Sequence, residues 1–131
     1  MKRFHLSFAL QLVLLFSCNA SIANANPDAL IIEFDSKKLQ AGRSIWIDNC
    51  KGCHAYGTAD APVPMNIDDW KTRVIKNKSV LYEHAINGFF GPDDTMMPER
   101  GGNPDLSDNQ VKLAVDYMLE LANFYIHKST N

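Results

Sequence analysis

Residues 50–54 read Cys50-Lys51-Gly52-Cys53-His54, two cysteines and a histidine in a chain with only one other cysteine, Cys18. A Cys-x-x-Cys pair serves three chemistries: half of a zinc site, the redox dithiol of a thioredoxin-like protein, or the attachment point of a covalent haem. The rest of the chain selects among them.

The first 25 residues open with Lys2 and Arg3, run through FALQLVLLF and reach Ala23-Asn24-Ala25. This pattern is expected of a cleaved secretory signal peptide over 1–25, since the apolar run is too short to span a bilayer comfortably. The stretch LFSC ending at Cys18 loosely resembles a lipoprotein cleavage site, but Phe16 suits it poorly. Plain cleavage after Ala25 and a periplasmic location are therefore expected, with membrane attachment only if Cys18 is lipidated.

The chain has 131 residues, 46% hydrophobic and 21% charged, an ordinary composition with room for one small domain. Without Lys2 and Arg3, 11 basic residues face 15 acidic ones, a formal charge of −4 that argues against nucleic acid as a partner. Cys50 and Cys53 are then the only cysteines of an exported chain, where such a pair oxidises unless something else occupies it.

Residues 26–35 suggest a short extended leader, and 36–131 one domain. Ser36 is placed to cap a first helix whose inner stripe is Leu39, Gly42, Trp46 and Cys50, so that this helix delivers the motif at its end. Gly57, Pro62 and Pro64 spell a loop. Asp68 or Asp69 is expected to cap a short helix carrying Trp70, Arg73 and Val74, and Ser79 another that carries His84 and stops at Gly88. Residues 89–106, with three prolines and three glycines, form a long loop of the functional kind. Ser107 and Gln110 fit a capping box ahead of a last helix with the stripe Val111, Ala114, Val115, Met118 and Ala122. No stretch alternates like a strand, so the fold class is all-α, which removes the βαβ setting a thioredoxin-like dithiol needs.

A closed zinc site needs four ligands, and a second cysteine pair is missing. Haem attachment asks for nothing more: each thiol adds across a vinyl group and His54 follows as an axial ligand of the iron. The long loop supplies a second ligand in Met96 or Met97, the latter 43 residues beyond His54. A thioether raises the reduction potential and closes the site that oxygen or peroxide would use. Spacing does not separate the two methionines. His84 is the simpler case of a partly exposed helix residue, and Phe89 and Phe90 of haem-packing or core residues.

With CKGCH, GRSIWIDNCKGCHAYGTADAP around it, WKTR, HAINGF and MPERGG before the last helix, the chain from about Ser36 to Leu121 resembles a class I monohaem cytochrome c. The likeness is closest to the small bacterial class IE, cytochrome c-five type, branch. The resemblance implies Met97, the methionine before proline, as the axial ligand. It also implies Pro62 as the carbonyl that orients His54, Trp70 and Arg73 near the haem propionates, and first and last helices that cross through Gly42 and Trp46. Many class IE members carry a cysteine pair after the Gly-Gly, where this chain has GGNPDL. The implied protein is a monomeric electron carrier with one haem c that docks transiently on redox partners and is not an enzyme. A haem-based sensor or peroxidase with an open sixth iron position is the alternative.

Overall fold

The computed structural model describes residues 26–92 and 94–130. The expected signal peptide with Cys18, and Asp93, lie outside the described residues. Among the described residues five helices carry the fold: α1 (Lys37–Asn49), α2 (Lys51–His54), α3 (Ile67–Trp70), α4 (Lys78–Asn87) and α5 (Asp108–Lys128). The domain is all-α but for one ladder of two residues a side, β1 (Phe89–Phe90) against β2 (Met96–Met97).

Ser36 precedes α1 in extended backbone, although its hydroxyl makes no capping bond. Ser107 and Gln110 close the expected capping box on α5, with Ser107 N–H donating to the Gln110 amide at 2.9 Å and Gln110 N–H to the Ser107 hydroxyl at 3.3 Å. Two expected caps are corrected. Asn66 caps α3 by accepting from Asp68 N–H, and Asn77 caps α4 by accepting from Ser79 N–H. In each case an asparagine two residues upstream already holds the orphan amide, so Asp68 and Ser79 fall inside the first turn. Asp69 is thereby free to accept Val63 N–H at 2.9 Å, which ties α3 to the loop before it.

The packing is organised by α1 crossing α5. At Gly42 a Cβ would stand 2.2 Å from the Leu113 carbonyl oxygen, so only glycine lets the two backbones approach this closely. One turn on, the Trp46 indole N–H donates to Met118 Sδ at 3.1 Å, and its ring lies 5.6 Å from that of Tyr117. All five residues expected on the α5 stripe are buried.

Residues 26–35 do more than lead into the domain. Pro27–Leu30 form a 3-10 turn. Tyr117 and Tyr125 donate their hydroxyls to the carbonyls of Ile32 and Leu30 at 2.7 and 2.8 Å, and Phe34 packs edge-on against Tyr117 and Phe124. Asp28 accepts from Tyr56 Oη at 2.8 Å and pairs with Lys51 at 3.3 Å. The segment therefore straps α5 to the cysteine motif. Ile31, Ile32 and Phe34 follow no helical period, which hid this role.

The long loop also holds more structure than expected. Phe89 faces Met97 and Phe90 faces Met96, and Gly91 N–H donates to the Thr95 carbonyl at 2.8 Å to close the hairpin. Two residues a side are too few to show a period of two. Beyond it, Glu99–Gly102 turn through positive φ at Arg100 and Gly101 and bring Asn103 Nδ2 to Asn49 Oδ1 at 2.7 Å. The stretch GGNPDL is thus held to the end of α1 by a hydrogen bond.

Candidate cofactor site

Cys50 closes α1, donating its N–H to the Trp46 carbonyl at 2.8 Å, and serves as N-cap of α2. Its own carbonyl accepts from Cys53 N–H at 3.2 Å and His54 N–H at 3.0 Å. A helical turn thus sets the cysteines three apart on one side, with His54 next in line. Both thiols are free, Cys50 half-buried and Cys53 exposed. Burial, with a smaller contribution from Cys53, pushes the Cys50 thiol up to about 12 and keeps it protonated.

The His54 ring is 6% exposed and its Nδ1 lies 2.9 Å from the Pro62 carbonyl oxygen. A carbonyl only accepts, so Nδ1 carries the proton and Nε2 keeps its lone pair. Burial lowers the imidazole pKa, opposed by the Pro62 bond and assisted by the Arg73 charge, so the ring stays neutral. Pro62 is itself well fixed. Val63 is held by Asp69, and Pro64 is among the most fully buried side chains.

His54 opens onto a cavity of about 460 Å³, within the range of small-molecule sites. Its walls include both cysteines, Trp70, Arg73 and Met97. Trp70 is 2% exposed, yet its indole N–H has no acceptor among the described residues. A buried orphan donor is costly, so the cavity calls for an acceptor on its occupant. Arg73 donates to the Asp69 carbonyl and adds a positive charge to the same wall. Met97 packs half-buried against the core, whereas Met96 is 55% exposed. Both methionines line the cavity, and strand alternation on β2 turns them to opposite faces.

Not every other side chain is placed as expected. Phe90 is 78% exposed and is neither core nor buried packing, because it leaves β1 on the face opposite Phe89. His84 is the partly exposed helix residue expected, and it stacks on Phe89 with centroids 4.0 Å apart. Arg100 went unnoticed in the sequence: it borders the cavity and donates to the Leu106 carbonyl and to Asp108, both at 2.8 Å. Gly88 and Asp116 were passed over too, as a plain helix stop and an unremarked acid.

The donor set suits haem c: two thiols, an imidazole, a thioether, and an N–H donor with a cation for acidic groups, in a mainly apolar cavity. Comparison with known proteins agrees. A family model described as cytochrome C oxidase, cbb3-type, subunit III matches residues 37–118. Cytochrome c-555 of Prosthecochloris aestuarii is 37% identical over 84 residues, 62% of this chain and 85% of that protein. Cytochrome c-555 of Chlorobaculum thiosulfatiphilum is 37% identical over 79 residues, 60% of this chain and 91% of that protein. The chain belongs to the class I monohaem cytochrome c family. Its cofactor is covalently bound haem c with iron, for which Cys50 and Cys53 stand at the required spacing. The family member is an electron-transfer protein, not an enzyme, and works with redox partners. Among the described residues no helix is long and apolar enough to cross a membrane.

Proposed function

We propose that the chain is an exported, monomeric single-electron carrier of the periplasm, released after Ala25 without lipidation at Cys18, with His54 and Met97 as the two axial ligands of its iron. Bound haem c supplies a one-electron ferric/ferrous couple. The residues around it do the rest. Cys50 and Cys53 hold the ring covalently through thioethers, and His54 presents a neutral Nε2 whose direction Pro62 fixes through Nδ1. Met97 offers a soft, uncharged sulfur from elsewhere in the lining, raising the potential and filling the position that a gas or peroxide would need. Trp70 and Arg73 receive the acidic propionates, answering the orphan indole N–H. Trp46, Ala114, Val115 and Met118 exclude water from the apolar walls.

The observation that carries this reading is the cavity that brings the motif His54 and the half-buried Met97 together. If His54 and Met97 both held the iron, no position would be left for a substrate, and the haem would supply outer-sphere electron transfer. Docking on partners is weak and salt-sensitive, as expected for small transient interfaces and a chain whose formal charge is −4 once residues 1–25 are removed.

Carbon monoxide tests the closed sixth position. The ferrous holoprotein is expected to keep its spectrum under the gas, and Met97→Ala to shift at once. Prompt binding by the unaltered protein would establish instead the sensor or peroxidase alternative.

A further inference from the structure

Helix α4 has two working faces. Leu81, His84 and Ala85 line the cavity, while Tyr82 and Lys78 are bonded to α5 at a single acid, Asp116. Asp116 is 7% exposed, the one buried carboxylate among the described residues. Tyr82 Oη donates to Oδ1 at 2.5 Å, Lys78 Nζ lies 3.0 Å from the same oxygen, and Lys38 from the start of α1 reaches Oδ2 at 2.5 Å. Burial favours the neutral acid, but the bonds from Lys38, Tyr82 and Lys78 outweigh it and hold the carboxyl below its ordinary range. An ionised carboxylate is thus held just beneath the surface at the junction of three helices, bonded by Tyr82 and by two lysines whose own side chains are more than half exposed.

What α4 positions lies at its other end. It stops at Gly88, in a backbone region open essentially to glycine (φ 80, ψ 166). A Cβ there would lie 3.0 Å from the Met97 carbonyl oxygen and 3.1 Å from Glu99 N. Phe89 then pairs with Met97 across the ladder and stacks on His84 one turn back. The end of α4 therefore abuts the backbone of β2, and a shift of the helix displaces Met97 directly. We infer that Asp116 is a positioning residue for Met97: it fixes α4 through Tyr82 and Lys78, and α4 through Gly88 and Phe89 sets the strand that presents the methionine sulfur. The inference rests on the reading of Met97 as an axial ligand.

The test follows two signals of the ferric holoprotein on heating, the weak far-red sulfur-to-iron band and the far-ultraviolet helix signal. In the unaltered protein the two are expected to disappear together. In Asp116→Asn the band should fade roughly 5 °C or more below the helix signal, the scale of about one kilocalorie in a domain of this size. Tyr82→Phe should open a smaller gap of the same sign, and it serves in place of Asp116→Asn should that variant fail to fold. Lys38→Gln, which frees α1 but leaves α4 bonded, should lower both signals together. A band that follows the helix signal in both Asp116→Asn and Tyr82→Phe would show Asp116 to be a merely structural acid and would overturn the inference. Absence of the band from the unaltered protein would instead refute Met97 as a ligand. Amide exchange over residues 88–98 then decides the placement: faster exchange there than in α5 in Asp116→Asn supports it, and equal exchange overturns it.

Discussion

The two walls of the cavity are built in different ways. On one side Cys50, Cys53 and His54 are set by five consecutive residues of helical turn, and their spacing in the chain is their spacing in space. Elsewhere in the lining Met97 sits on a two-residue strand whose place depends on β1, on Gly88 and on a helix anchored at Asp116, from all over the domain. The first wall needs little beyond one helical turn and the Pro62 carbonyl that orients His54. The second is only as fixed as the packing behind it, so the two should respond differently to substitution.

The largest expected effect lies on the local wall. Cys50→Ala with Cys53→Ala removes both covalent anchors, and haem staining of the denatured chain should fall to background. Staining that persists would disconnect the motif from the cofactor.

Next comes the crossing that supports both walls. In Gly42→Ala the new methyl meets the Leu113 carbonyl, and overpacking of this kind costs about 1–3 kcal/mol. The melting temperature should drop by roughly 10 °C with the visible spectrum unchanged. Gly88→Ala sharpens the contrast. Its backbone cost is also about 1–3 kcal/mol, but the displaced atoms include the Met97 carbonyl, so the sulfur-to-iron band should weaken while haem attachment stays complete. Equal spectra for the two alanine variants would remove the distinction between the walls.

The smallest effect is on pH dependence. Asp116 is held below its ordinary value in the folded chain, so its contribution is full at neutral pH and down to the unfolded value near 4. It is lost as pH falls through the lower folded value. Acid unfolding followed by helix signal should accordingly be shallower in Asp116→Asn, and an unchanged acid limb would place the acid-sensitive groups elsewhere.

Legibility in the sequence follows the same division. CKGCH, the Gly42 and Trp46 stripe and the capping box at Ser107 are local patterns spanning four or five residues, and they were readable directly. The caps of α3 and α4 were misplaced by two residues because Asn66 and Asn77 compete with equally suitable neighbours. The strap of residues 26–35 and the hairpin had too few residues to show a period. The buried Asp116 could have been suspected from one signal, an acid between Val115 and Tyr117 on the buried side of a helix whose stripe is otherwise apolar. Its partners Lys38, Lys78 and Tyr82 are brought together by tertiary packing alone, and nothing in their spacing announces it.

The most direct test of the account is a potentiometric titration of the purified holoprotein beside Met96→Ala and Met97→Ala. The account predicts one one-electron wave, unmoved by the change at the 55% exposed Met96 and carried to clearly lower potential, with loss of the far-red band, by the change at Met97. A potential and spectrum indifferent to Met97→Ala would contradict it.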